Sequence, residues 1–304
     1  MSEQQHPNGI GYIDGRYMAR EALALPMTDL GFKLCDMTYD AIHVWDGAFF
    51  RLDEHLDRFE QSIEKRRFNF GFSRADITEI VHQCVARAGL RESMVMLIAT
   101  RGDQKGEVLD LRACESRFIA WAAPYYRIVT EAELAQGVSV AISAVPRVPP
   151  DSIDPTVKNF ARIDFADALF DAYDQGCDHA ILLDHEGYVT EGRGWNVFAL
   201  LGGTLVTPET GVLEGITRRT VLELCERSNV KPKVGKLRPA DLKGADEVFM
   251  ASTAGGIMPI RKIDETLIGN GTPGPVTHRL TEAYWAFHGE PGVSTPVRYE
   301  GSSA

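Results

Sequence analysis

The chain has 304 residues, 44% of them apolar, with 32 Lys and Arg against 43 Asp and Glu for a formal net charge of −11. That length accommodates two domains with full cores. A net charge of this sign argues against nucleic acid or an anionic membrane surface as the main partner, while leaving room for a locally basic pocket around a small anion.

In chain order, the first half looks antiparallel. Asp14-Gly15 and Asp46-Gly47 each lie between β-forming segments, the strongest short-range hairpin signal. Leu52 to Arg67 reads as a helix with Leu56, Phe59 and Ile63 on one side, and Ser73 to Ala88 as a second, with Ser73 as N-cap and Gly89 as stop. Strands are expected at Met94 to Thr100, Arg117 to Ala122 and Val138 to Val145. Together these make a smaller α+β domain, residues 1–144. Residues 145–155 contain four prolines and read as an interdomain loop. Beyond it, helices near 159–175, 215–228 and 273–288 alternate with strands near 179–183, 195–201, 246–251 and 258–263, the pattern of a larger α/β domain, residues 156–304. The tail from Gly289 is rich in Gly, Pro and Ser and is expected to be loose at its end. Ligand sites favour domain interfaces, so the active site is expected between the two domains.

The five cysteines (Cys35, Cys84, Cys114, Cys177, Cys225) lack the paired spacing of zinc or redox sites, and the eight histidines form no metal-binding helical pair. Met1 to Asn8 is polar, without the apolar stretch of a signal peptide, and no apolar run nears the ~20 residues of a membrane span. The expectation is a reduced, cytoplasmic protein with no metal and no membrane or nucleic-acid partner.

Chemistry concentrates after residue 157. From Asn159 to Tyr173 the side chains Phe160, Ile163, Phe165, Leu169 and Ala172 favour one helical face, which sets Lys158 at the helix N-terminus. The positive end of the dipole disfavours an ammonium there. A lysine with a depressed pKa can attack a carbonyl and form a Schiff base; the alternative is a surface lysine. Glu191 ends a short β run, Gly187 to Thr190, ahead of Gly192 and Gly194, which permit a tight turn or close approach to a ligand. A carboxylate there either pairs with a protonated ring nitrogen or is a plain turn glutamate. Gly215 to Thr220 opens a further helix with Arg218 and Arg219 in its first turn, and the unpartnered N–H groups of that turn suit an anion such as phosphate. Glu214 is the alternative counter-charge. A lysine for an aldehyde and a carboxylate for a ring nitrogen are the two parts that pyridoxal phosphate (PLP) chemistry needs. Gly192-x-Gly194 is no dinucleotide loop, because a strand rather than a helix follows it.

Lys158, the run Glu191-Gly192-x-Gly194-x-Asn196-x-Phe198, Gly211 to Arg218 and Ser252 to Pro259 resemble the signatures of class IV, fold-type IV PLP-dependent aminotransferases. That group holds branched-chain and D-amino acid transaminases, aminodeoxychorismate lyase and (R)-selective amine transaminases. The likeness runs from about Gly9 to Tyr299. Its wording is most similar to the last subgroup in Asp36-x-Thr38-Tyr39-Asp40, Val44 to Gly47, Arg51 to His55 and Val145-Pro146-Arg147.

The resemblance implies a D-amino acid aminotransferase-like fold, a homodimer, and pyridoxal 5′-phosphate attached to Lys158. Glu191 would meet the ring nitrogen, with Arg58, Ile216, Thr217, Ser252 and Thr253 also binding the cofactor. Tyr39, Leu34, Arg162 and Ala254 would face the substrate. From the residues alone, Arg58 could equally pair with Glu54, Thr253 could cap a turn and Tyr39 could be a core strand residue. Arg162 stands where the (R)-amine subgroup commonly has tryptophan and Leu34 where it has histidine, and the loop after Thr100-Arg101-Gly102 is rewritten as Asp103 to Val108. Arg162, one helical turn from Lys158, either binds a substrate carboxylate or is a surface arginine. The loop from Arg101 to Arg112 could complete a partner subunit's pocket. The implied activity is a ping-pong transfer of an amino group from an (R)-amine or amino acid to a keto acid such as pyruvate, with Lys158 moving the proton. The alternative is a branched-chain or D-amino acid transaminase, or the lyase.

Overall fold

A computed structural model of the chain describes His6 and residues 8–299, which divide into two compact units. The first takes in the residues up to Tyr126, Val157–Ala161 and the segment from Glu290; the second takes in Arg127–Thr156 and Arg162–Gly289.

The chain opens with β1 (Ile10–Ile13), β2 (Arg16–Ala19), a short α1 (Leu30–Leu34), β3 (Met37–Trp45) and β4 (Ala48–Phe50). It continues with α2 (Leu52–Lys65), α3 (Arg74–Ala88), β5 (Ser93–Asp103) and β6 (Glu115–Pro124). The second unit supplies α4 (Glu131–Gln136), β7 (Val138–Ile142), α5 (Ile163–Asp174), β8 (His179–Leu183), β9 (Val189–Gly192), β10 (Trp195–Leu201) and β11 (Thr204–Thr207). Then follow α6 (Ile216–Arg227), β12 (Lys231–Val234), α7 (Pro239–Lys243), β13 (Glu247–Ser252), β14 (Gly256–Ile263), β15 (Thr266–Leu267) and α8 (Pro275–Phe287), and the chain returns to the first unit with β16 (Ser294–Pro296).

Local turn chemistry accounts for much of the first unit. Asp14 and Gly15 take φ of 48° and 78°, and Asp46 and Gly47 take 46° and 74°, the double left-handed geometry that turns one antiparallel strand into the next. α3 starts on a reciprocal capping box between Ser73 and Asp76 and stops at Gly89, whose φ is 67°. The seven-stranded sheet runs β16-β4-β3-β5-β6-β1-β2. Ile42 and Val44 of β3 pack with Leu56 and Phe59 of α2 and with Ile77, Val81 and Val85 of α3. Burying each such side chain stabilises by ~1.5–3 kcal/mol. That packing sets α2 over β3 and fixes where its polar residues meet the strand.

In the second unit the order is β12-β11-β10-β13-β14-β7-β8-β9, and β9 pairs with both β8 and β10. The strands from β10 round to β9 therefore close on themselves, with Glu191 at the closing seam. Phe165, Ala168 and Ala172 of α5 cover Ala141, Ala180 and Leu182.

β7, expected to finish the first domain, pairs in parallel with β14 and β8. The units accordingly part at Tyr126 and Arg127 instead of residue 144. The alternation within a strand does not say which sheet it joins. The tail after Gly289 carries β16, paired with β4, and Tyr299 Oη donates to Leu90 O at 2.6 Å. The looseness expected at its very end concerns residues 300–304, outside the described residues, as is most of Met1–Asn8. Cys84, Cys114, Cys177 and Cys225 are buried and Cys35 is exposed, all as free thiols. Among the described residues, no helix is long and apolar enough to cross a membrane and no His, Cys, Asp and Glu cluster could hold a metal ion.

Candidate active site

The helix expected from Asn159 begins only at Ile163, with Arg162 as its N-cap. Asn159 Nδ2 donates to Val157 O at 2.9 Å and its Oδ1 accepts from Ala161 N at 3.0 Å. These local bonds compete with helix formation and hold the segment open. Lys158 thus lies ahead of the helix's first turn, where the dipole has little effect. The buried face shifts as well, with Ile163 73% exposed while Phe165, Ala168 and Ala172 turn inward. A strand positions Lys158 instead. Its carbonyl accepts from Tyr39 N and from Thr38 Oγ1, each at 2.9 Å. Its Nζ lies 4.7 Å from the centroid of the Tyr39 ring, and Phe160 packs 4.7 Å from that ring on its own account.

Asp40 follows Tyr39 on β3 and points to the other face, where α2 lies. Arg58 donates Nε to Asp40 Oδ2 at 2.8 Å and Nη2 to Oδ1 at 2.9 Å, and His55 Nδ1 is 2.7 Å from Oδ1. The i, i+4 partner available from sequence, Glu54, binds Arg51 at 2.8 Å instead. Burial alone would raise the Asp40 carboxyl, but the charges and hydrogen bonds of Arg58 and His55 outweigh it and hold Asp40 well below the usual carboxylate range. Burial lowers His55, with Asp40 opposing and Arg58 and Lys158 adding to the fall. Leu34, at the end of α1, is 52% exposed. Arg101 is a brace rather than a loop-tip residue: it is buried, donating Nε to Asp36 at 2.6 Å and its other nitrogens to the carbonyls of Arg67 and Arg66.

In the second unit, Glu191 is a strand residue, and the turn into β10 is made by Arg193 and Gly194. Glu191 faces Asn196 across the β9–β10 pair. Its Oε2 accepts from Leu213 N at 2.9 Å and lies 3.4 Å from Asn196 Nδ2, which also donates to Leu213 O at 2.9 Å. Arg147 Nη2 is 3.6 Å from Glu191 Oε1. Leu213 leads through Gly215 into α6, whose first residues, Ile216 and Thr217, are buried and whose start no side chain caps. A Cβ at Gly215 would collide with Asn196 Oδ1, and one at Gly192 with the Trp195 ring. Glycine is what lets these backbones close around Glu191.

Arg218, in the first turn of α6, is engaged by the neighbouring segment of the chain. Its Nη2 donates to Pro208 O at 2.9 Å and its Nε lies 3.3 Å from Thr207 Oγ1, while burial lowers its pKa. Arg219 is exposed. That leaves the uncapped backbone N–H groups of the α6 start as the donors that could hold an anion. Ser252 Oγ donates to Gly194 O at 2.8 Å and accepts from Ala254 N at 3.2 Å, with half-buried Thr253 between them. Arg162 lays its guanidinium 5.3 Å from the Phe165 centroid.

A family model described as Amino-transferase class IV matches residues 37–263. The chain belongs to that family. A putative branched-chain-amino-acid aminotransferase of Methanocaldococcus jannaschii is 30% identical over 277 residues, covering 90% of this chain and 94% of that protein. A D-alanine aminotransferase of Bacillus licheniformis is 29% identical over 273 residues, covering 89% and 94%. Among solved structures, the branched-chain amino acid aminotransferase from Thermobaculum terrenum in its PLP form matches at a TM-score of 0.86 and 26% identity, covering 97% of this chain and 100% of that one. The fold is the fold-type IV arrangement, and the class IV assignment read from the motifs stands.

The residues of this class IV aminotransferase fit the family's cofactor chemistry. Glu191 is 4% exposed with Oε2 fixed by a backbone N–H, as a partner for a ring cation should be. The α6 start, uncapped and beside a glycine, has the donors for a phosphate. Two residues of this environment are not singled out by sequence reasoning. Arg147 sits in a proline-rich loop without periodicity, and Asp164 looks like an ordinary acid in the first turn of a helix. The one available signal is the Val145-Pro146-Arg147 match to the family's wording.

Proposed function

We propose that this aminotransferase uses PLP, held through Lys158, to move the amino group of an amino acid to a keto acid. The single observation that carries this is the fixed, buried carboxylate of Glu191, suited to a protonated ring nitrogen. The cofactor, when bound, supplies an electron sink. The chain's own residues do the rest. Lys158 Nζ would hold the cofactor's aldehyde, and its amine would carry a proton to and from the donor carbon. Arg58, braced by Asp40, binds the phosphate together with the N–H groups of Ile216 and Thr217 and the hydroxyls of Ser252 and Thr253. Tyr39 walls one side of Lys158, and Arg162, Leu34 and Ala254 bound the substrate.

An amino acid donor is favoured by the names of the relatives, which are branched-chain and D-alanine aminotransferases, and by Arg162 as a carboxylate partner. A second reading, an (R)-amine donor with pyruvate as acceptor, is favoured by the wording of Asp36 to Asp40 and Val44 to Gly47. We infer a homodimer on the same family grounds. The test is a donor profile: PLP-loaded protein with L-leucine, D-alanine or (R)-1-phenylethylamine, each against 2-oxoglutarate and pyruvate. Turnover of an amino acid supports the first reading. Acetophenone as the dominant product moves the assignment to the second. Absence of turnover with every pair, together with no visible cofactor band, would overturn both.

A further inference from the structure

Arg147 belongs to an irregular, proline-rich segment, yet it is 6% exposed. Its N–H donates to Leu183 O at 2.8 Å, and its guanidinium lies 4.3 Å from the Phe165 centroid. Nη1 donates to Asp164 Oδ2 at 2.6 Å while Nη2 lies 3.6 Å from Glu191 Oε1. Asp164 Oδ2 also accepts from Val148 N at 3.2 Å, which ties the carboxylate to the loop that carries Arg147. Burying three charges in a row is expensive, and an apolar core of the same shape would often be more stable. The arrangement therefore calls for a chemical reason.

Formal charge supplies one. Glu191 and Arg147 by themselves sum to zero, a poor partner for a ring cation. Asp164 brings the three to one net negative charge. Arg218 on α6 also lies in the field of Glu191, with Glu214 beside it. They again form one cation and one acid, so they do not alter the sum.

We propose that Arg147 and Asp164 are positioning residues acting through Glu191, a role that rests on Glu191 being the ring-nitrogen partner proposed above. Arg147 fixes the direction of Oε1, and Asp164 restores the negative charge that Arg147 would cancel. Neither touches the reacting atoms.

The test compares Asp164→Asn, Arg147→Lys and Arg147→Met with Glu191→Gln in PLP-loaded protein. It follows PLP affinity by titration, the pH dependence of the visible absorption band, and kcat and KM separately. Asp164→Asn keeps the shape and removes the charge. It should weaken PLP binding about tenfold, the usual size for a group that orients a ligand, and move the band's pH midpoint in the same direction as Glu191→Gln. kcat should fall with the KM for the amine unchanged. Arg147→Lys keeps the charge but cannot bridge two carboxylates, so it should show a smaller version of the same spectral change. If Arg147→Met fails to fold, these two variants decide. In protein without cofactor, Glu191→Gln and Arg147→Met should be non-additive in thermal midpoint. Wild-type spectra and PLP affinity in Asp164→Asn and Arg147→Lys, alongside a defective Glu191→Gln, would sink this proposal and leave the function intact. A wild-type protein that binds no PLP would instead remove the reading of Glu191 and, with it, the proposal.

Discussion

In the unit that carries Lys158, one carboxylate, Asp40, serves two basic side chains, Arg58 and His55; in the unit that carries Glu191, one guanidinium, Arg147, serves two carboxylates. Both clusters are buried, and both join different elements across 15 or more residues of sequence. They differ in what remains once the charges are summed. Asp40 and Arg58 cancel, and burial disfavours the charged form of His55, so this cluster is closed. Its work is to lock α2 onto β3 and aim Arg58. The three members of the Arg147 cluster sum to one negative charge in a buried place, where charge is costly. A closed cluster is architecture, whereas an unbalanced one is prepared for a counter-charge.

Lys158→Ala should have the largest effect, because on the proposed function it removes both the covalent anchor and the proton carrier. Turnover should fall by at least ~10²–10⁴-fold, with the visible band lost and the melting midpoint near that of wild type. Retained turnover with the band intact would move the chemistry elsewhere. Asp40→Asn comes next. It leaves the Arg58 guanidinium buried without a full counter-charge and should cost ~3–5 kcal/mol in urea denaturation. Asp164→Asn should cost clearly less, since Arg147 still has Glu191 within 3.6 Å. Equal losses for the two variants would erase the distinction between a closed cluster and an unbalanced one.

A pH series sharpens the same contrast at smaller amplitude. Burial lowers His82 in the first unit and His288 in the second, each to about 4, and it lowers His55 as well. A histidine whose folded pKa lies below its unfolded value, ~6.5, contributes stability that is present above that value and is lost as pH falls toward the folded one. Both units should therefore weaken between pH ~6.5 and about 4. Asp40 is depressed relative to an unfolded value of ~3.9, so its contribution is kept above that pH and lost only on further acidification, in the first unit. Melting curves from neutral to acid pH should show one shared step followed by a loss from the first unit, and His82→Leu should flatten the shared step. A first step that ignores His82→Leu and a matching His288→Leu would assign the acid sensitivity to other groups.

How much of this was legible in the sequence depended on range. Asp14-Gly15, Asp46-Gly47 and the Ser73–Asp76–Gly89 cap pattern act over a few residues, and each formed where it was expected. The start of α5 was not legible, because Asn159 bonds Val157 and Ala161 with its side chain and so defeats a periodicity that looked helical. Arg58 shows the same limit within the site. Its helix neighbour Glu54 was the visible partner, yet a buried carboxylate on β3 wins, since a charge-assisted bond in a low-dielectric interior outweighs an exposed pair. Residue types and family wording pointed to Lys158 and Glu191. The brace behind Glu191 depends on a loop folding back across the sheet, and no local pattern encodes that.

The finest discrimination concerns two arginines over one ring. Arg147 lies 4.3 Å and Arg162 5.3 Å from the Phe165 centroid. Arg147 is committed to Asp164 and Glu191, so it is a poor receptor for a substrate carboxylate. Arg162, half-buried at the start of α5, is the better one. Arg162→Trp should raise KM for L-leucine and 2-oxoglutarate about tenfold, the scale of one hydrogen bond to a charged group, and leave (R)-1-phenylethylamine unchanged as a donor. The band and its pH midpoint should stay as in wild type, in contrast to Asp164→Asn. An equal change for donors with and without a carboxylate would return Arg162 to a stacking role beside Phe165, leaving the carboxylate to be bound elsewhere.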